Sequence, residues 1–396
     1  MSERLAIDGG TPVRATVLPY ARQLVQDDDI AAVTAALRAP YLTTGPRVAE
    51  LEAAFAARVG ARHAVAVSSG TAALHAAMFA AGVGRDDEVV TTPLTFVATA
   101  NAALYLGARP VFADVRAATL NLDPDRVAAA LTPRTRVLAP VDFAGRPSDL
   151  TALRALARAR GLVLVEDACH ALGAELDGRP VGSLSDLTVF SLHAVKHVTT
   201  GEGGVVTTDD DELARRLRRF RNHGLATESA DRQASGALWS EMVDLGFNYR
   251  LTDVQCALGL SQLPKLDQFL AAREAIAERY VVAFKDLPGL TLPPPAVGAR
   301  HAWHIFPVLV EPAQLRVGRD TVFAALRAEG IGVTMHYVPA YWHPYYARLG
   351  YARGLCPVAE DATSRIFSLP IFPGMTGPDV EDVVTAVWKV LGHYRR

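Results

Sequence analysis

Between residues 62 and 208 the chain alternates short apolar runs with stretches patterned for helix, and this alternation restricts its possible folds more than any other feature. The apolar runs cover residues 63–67, 88–92, 110–113, 136–141, 162–166, 187–191 and 204–207, and helix-like segments at 71–81, 96–106, 124–131 and 149–160 separate several of them. Strands that take turns with helices pair through crossover connections, which predicts an α/β fold: a mostly parallel sheet with both faces covered by helices. Asp123 before Pro124 marks one helix start, a capping carboxylate followed by a residue that needs no amide partner. In such a sheet, ligands gather beyond the carboxyl ends of the strands.

The pattern changes after a long helical stretch at 252–284 and a proline run at 293–295. A strand at 304–310 and helices at 320–329 and 377–390 predict a smaller C-terminal α+β domain. The expected division is an N-terminal arm at 1–27, a large domain at 28–262, and a connecting helix with the small domain at 263–396. A chain of 396 residues, half of them hydrophobic, is long enough for two cores. Its net charge of −2 gives no reason to expect nucleic acid or an anionic membrane as a partner. The start carries no apolar targeting region, and no apolar stretch approaches the roughly 18 residues that span a bilayer, so a cytoplasmic protein is expected. Three widely spaced cysteines form neither a disulfide framework nor a metal-ligand pattern.

The chemistry converges on one lysine. Lysine and arginine together number 40, yet only Lys196, Lys265, Lys285 and Lys389 are lysines. Lys196 alone follows an apolar strand-like run and precedes a glycine-rich turn, Gly201-Glu-Gly-Gly204. A lysine can lose its proton and attack a carbonyl carbon; an arginine cannot. Ser68-Ser-Gly-Thr-Ala-Ala73 joins the strand at 63–67 to a helix, so the amides of Gly70, Thr71 and Ala72 offer a phosphate cradle, or an ordinary helix cap. Asp167 ends the run at 162–166 on the same rim, where a buried carboxylate needs a cationic partner. An amine, a carboxylate able to hold a pyridine nitrogen protonated, and a phosphate cradle are together what pyridoxal 5'-phosphate requires.

Along nearly its whole length the sequence resembles the DegT/DnrJ/EryC1/StrS sugar aminotransferases, a branch of the fold-type I pyridoxal phosphate enzymes. The runs that carry the resemblance are Tyr41-Leu-Thr-Thr-Gly-Pro46, Ser69-Gly-Thr-Ala-Ala73, Thr95-Phe-Val-Ala98, Glu166-Asp-Ala168, Ser191 through Gly204, Phe247-Asn-Tyr-Arg-Leu-Thr-Asp253 and Ser368-Leu-Pro-Ile-Phe-Pro373. The resemblance implies that Lys196 is the Schiff-base lysine and Asp167 the partner of the pyridine nitrogen. Phe96 would stack on the ring, His170 would lie near its phenolic oxygen, and Ser191 would add a hydroxyl to the phosphate. Thr44, Arg250, His336 and Tyr341 fall in runs expected to contact substrate. In that family the asparagine matching Asn248 reaches the phosphate of a neighbouring subunit, which implies a homodimer with composite sites. Structural roles compete with several of these: Phe96 as a core aromatic, His170 as a satisfied polar residue, Arg250 in a salt bridge.

Leu18-Pro-Tyr-Ala-Arg-Gln23, Val141-Asp-Phe-Ala-Gly-Arg-Pro147 and His336-Tyr-Val-Pro-Ala-Tyr-Trp-His-Pro-Tyr-Tyr346 are similar to enzymes that aminate C4 of nucleotide-linked 4-keto-6-deoxy sugars. Ala21 replaces a glycine and Tyr341 a histidine of that pattern, both in segments expected near the sugar. The implied activity is ping-pong transfer from glutamate to a keto sugar. Amination of a keto cyclitol, amination at C3 of a keto sugar, or cofactor binding without turnover are the alternatives.

Overall fold

A computed structural model describes residues 4–227 and 238–396. In chain order the first part builds α1 (Asp27–Leu37), α2 (Pro46–Val59), β1 (His63–Val67), α3 (Gly70–Ala80), β2 (Glu88–Thr91), α4 (Ala98–Tyr105), β3 (Arg109–Phe112), α5 (Pro124–Ala130), β4 (Thr135–Ala139), α6 (Leu150–Arg160) and β5 (Val163–Asp167). A two-residue ladder of β6 (Glu175–Leu176) and β7 (Arg179–Pro180) comes before β8 (Leu187–Ser191), β9 (Gly204–Thr208) and α7 (Asp211–Arg221). Seven of the strands form one sheet in the order β1-β9-β8-β5-β4-β2-β3. The sheet is parallel from β8 to β3, and β9 runs antiparallel to both of its neighbours. The reason is local: β8 and β9 are joined without a crossover helix, and only a crossover can return a chain parallel to itself.

The strands read as unbroken apolar runs because both faces are covered. Val65, Val67, Val89, Val137, Val165 and Val189 pack against α3, α4 and α7 on one face, while Val90, Leu138 and Leu164 meet Val127, Leu153 and Ala157 of α5 and α6 on the other. Asp123 caps α5 and Asp149 caps α6 through side-chain oxygens that accept first-turn amides. The carboxyl ends of β1, β5 and β8 therefore share one rim. The loop 192–203 begins and ends at that rim, because β9 starts where β8 stops.

The long helical pattern at 252–284 is not a single helix. Asp253–Gln262 and Leu266–Phe284 are separated by the tight turn Leu263–Lys265, where Pro264 has no amide to donate to the preceding turn. Beyond it, β10 (Leu290–Thr291), β12 (Phe306–Val310) and β13 (Ile366–Leu369) form a three-stranded antiparallel sheet, and β11 (Ala299–Arg300) joins the β6–β7 ladder. The helices Arg319–Ala328 and Gly377–Tyr394 share a hydrophobic core with the three-stranded sheet. The N-terminal segment folds onto this core: Leu5 is fully buried, and the Leu18 amide donates to Gly330 O at 2.9 Å. Buried Glu329 accepts from the Ala6 amide at 2.9 Å, the Val13 amide at 3.0 Å and Lys389 at 2.9 Å. No helix among the described residues is long and apolar enough to cross a membrane.

Candidate active site

The start of α3 lies against the end of β8. Ser69 caps the helix, its Oγ accepting the Ala72 amide at 3.1 Å, so that amide is already used and does not join the expected cradle. Gly70 and Thr71, as first-turn residues, keep amides with no partner inside the helix. Glycine is required here by space. A Cβ on Gly70 would sit 3.0 Å from Ser191 Cβ and 3.1 Å from its Oγ, and a Cβ on Gly204 would come within 2.4 Å of Ser69 O. The Ser68 amide donates to Tyr249 O at 2.8 Å, which draws the segment around Asn248 to the same rim.

Asp167 closes β5 and is almost fully buried. Its Oδ2 accepts from Thr99 Oγ1 at 2.7 Å, and its Oδ1 from the Cys169 amide at 3.1 Å. Two donors, one from α4 and one from the turn after β5, hold the carboxylate in place. Lys196 sits in the loop 192–203, its Nζ 3.5 Å from His304 Nε2. The residue as a whole is only half-buried, but its amine end is crowded, and desolvation lowers its pKa from the usual lysine range. The His304 ring lies 4.4 Å from that of His170, whose Nε2 meets Tyr337 Oη at 3.1 Å. Burial first, then the Lys196 charge, pushes both imidazoles well below their ordinary pKa and keeps them neutral. Among the described residues the Nδ1 atoms of His170 and His304 are buried without a hydrogen-bond partner.

The other expected residues divide. Phe96 is 61% exposed and is no core aromatic. Asn248 is exposed and pairs with Asn222 across a short antiparallel bridge. Arg250 Nη1 donates to Asn222 Oδ1 at 2.7 Å, an amide rather than a carboxylate, and its Nε is buried without a partner among the described residues. Thr44 is exposed, in a left-handed conformation at φ 56°, with its hydroxyl on its neighbour's carbonyl, Thr43 O, at 2.7 Å. His336 is buried, with its Nδ1 2.9 Å from Ser368 Oγ and its ring 5.6 Å from that of Tyr20.

Tyr341 corrects the reading of its segment. It is 1% exposed, and its hydroxyl donates to Glu360 at 2.6 Å while accepting the Cys356 amide at 3.2 Å. Both hydrogen-bonding directions are used internally, so Tyr341 packs the loop rather than presenting a hydroxyl to substrate. Sequence reasoning passed over three residues that the fold brings in: Thr99, Tyr337 and His304. Tyr337 lay inside a quoted motif, and Thr99 just after one; His304 carried no local signal.

Comparison with solved structures gives the class first: the fold is that of the sugar aminotransferases. PseC of Helicobacter pylori, an aminotransferase involved in the biosynthesis of pseudoaminic acid, matches with a TM-score of 0.89 and 31% identity over 96% of this chain and all of the other. A sugar aminotransferase of Streptococcus pneumoniae in its PLP form, Spr1654, matches with a TM-score of 0.88 and 28% identity over 95% of this chain and 99% of the other. The spore coat polysaccharide biosynthesis protein SpsC of Bacillus subtilis is 44% identical over 377 residues, covering 94% of this chain and 97% of SpsC. The sequence profile of the DegT/DnrJ/EryC1/StrS aminotransferase family matches residues 23–388, and the chain belongs to that family.

Proposed function

We propose that the protein uses pyridoxal 5'-phosphate to move an amino group from glutamate to C4 of a nucleotide-linked 4-keto-6-deoxy sugar. The observation that carries the reading is the convergence on one rim of a desolvated lysine, a buried aspartate with two donors, and a glycine cradle beside a serine hydroxyl. These residues fit the cofactor: the first-turn amides of α3 suit a phosphate, and the unpartnered Nδ1 of His170 suits a phenolic oxygen. The Streptococcus pneumoniae relative in its PLP form supports the cofactor, and the Helicobacter pylori relative supports a sugar as acceptor.

Bound there, pyridoxal phosphate supplies a carbonyl that condenses with amines and a cationic ring that draws electrons from the bond to be broken. Gly70, Thr71 and Ser191 bind the phosphate. Asp167, oriented by Thr99 and the Cys169 amide, would hold the ring nitrogen of the cofactor. Phe96 would lie against the ring of the cofactor. Lys196 would hold the cofactor through its amine, and that amine, its pKa lowered by burial, would take up and return a proton at Nζ. Arg250, His336 and Thr44 would orient the substrates.

The exposed apolar side chains of Leu238, Trp239, Met242 and Leu245, next to exposed Asn248, support a homodimer in which Asn248 serves the partner's site. Asn248→Ala is expected to weaken cofactor retention without changing the dimer seen by sedimentation. The deciding experiment is a visible spectrum of the protein with pyridoxal phosphate, before and after glutamate. A yellow species that bleaches on adding glutamate is expected; Lys196→Ala should neither turn yellow by the same route nor turn over. A spectrum that glutamate leaves unchanged removes glutamate as donor.

A further inference from the structure

Buried His304 fits none of the assigned roles, although its Nε2 lies 3.5 Å from the Lys196 amine. Three contacts fix the ring. Its backbone amide donates to Ala144 O at 2.9 Å. Its carbonyl accepts from the buried Arg273 at 3.1 Å, and Arg273 also donates to Trp303 O at 3.1 Å and Ile371 O at 2.9 Å. The ring lies tilted against His170, at 4.4 Å, and His197, at 5.5 Å, and His197 is itself tied to Ala302 O at 2.9 Å. His304 is thus placed by four segments of chain, yet its Nδ1 has no partner among the described residues. A buried polar atom left unmatched is a cost that folding alone does not explain.

We infer that His304 is a positioning residue for Lys196: its Nε2 lone pair accepts a hydrogen from the lysine nitrogen and aims that nitrogen at the carbonyl carbon it must attack. The inference rests on the reading of Lys196 as the cofactor lysine. His304 does not take the proton away. Burial first, and then the Lys196 charge, hold its ring well below the usual imidazole range, so it remains a neutral acceptor. With Nε2 as acceptor the ring proton sits on Nδ1.

The test compares His304→Gln, which keeps an amide able to accept, with His304→Phe, which keeps a planar ring without an acceptor. In cofactor-free protein, acetylation of Lys196 by acetic anhydride is followed against pH by peptide mass spectrometry. The groups facing that amine are Asp167, Cys169, Arg273, His170, His197 and His336, and all are retained in both variants. An accepted hydrogen favours the ammonium, so the acetylation midpoint should move to lower pH in His304→Phe and stay near wild type in His304→Gln. In loaded protein the glutamate half-reaction should slow roughly tenfold or more in His304→Phe, with KM little changed and with rescue in His304→Gln. Equal behaviour of the two variants, whether both unaffected or both impaired, overturns the positioning role. Failure of the wild type to bind pyridoxal phosphate overturns the functional reading instead and leaves the acetylation result standing.

Discussion

Asp167 and Lys196 were visible in the sequence because strand ends are. Once the alternation of apolar runs is read, a carboxylate closing β5 and a lysine after β8 must share a rim. What could not be read was which side chains lie over them. His304 is 108 residues from Lys196, and the contact depends on how two separate parts of the chain dock. Tyr341 shows the reverse error: a motif tyrosine turned inward, a choice made by packing against Phe112 at 5.2 Å. Thr99 offers a sharp residue-level test. Thr99→Val keeps the shape but removes one of two donors to the Asp167 carboxylate. A hydrogen bond to a charged acceptor is worth about 1.5–3 kcal/mol, so the glutamate half-reaction measured by stopped flow should slow about ten- to a hundredfold, and Thr99→Ser should restore it.

At the level of elements, β1 depends on a grip that no propensity scale would show. Buried Glu52 of α2 accepts the Ala66 amide at 2.8 Å and pairs with Arg221 of α7, while Arg221 donates to Ala66 O at 2.8 Å. The pair takes both backbone groups of one β1 residue and clamps the strand that leads into the Gly70 cradle. Glu52→Ala removes the carboxylate from a buried arginine and should cost about 3 kcal/mol in urea unfolding, with Glu52→Gln costing less. Helix and strand boundaries were legible to within one or two residues where caps announced them, as at Asp123 and Asp149. The stretch at 252–284 misled because its apolar periodicity continues through Pro264 while its hydrogen bonding does not.

For the whole molecule, the buried histidines set the response to acid. Burial holds His75 and His336 at about 4 and His301 at about 3, and pushes His170, His197 and His304 well below their usual value. In the unfolded chain each takes a proton near pH 6.5, which the native state refuses. The unfolded state therefore binds more protons below that pH, and stability present above about pH 6.5 falls as the pH drops toward 4. The Asp142–Glu166 pair, raised by burial, acts with the opposite sign but is outnumbered. Urea midpoints of the cofactor-free protein should be clearly lower at about pH 5 than at about pH 7.5; equal midpoints would show that these rings are solvated.

The antiparallel strand has a consequence for how the chain is made. β1 is the first strand of the sheet to leave the ribosome, yet among the described residues its one neighbour in the sheet is β9, so Val67 must wait for Gly204. At translation rates of about 5–20 residues per second, the edge of β1 spends roughly 10 seconds without a partner. The strand that leads into the candidate cradle is therefore made early and paired late, and its apolar face is what a chaperone would meet during that interval.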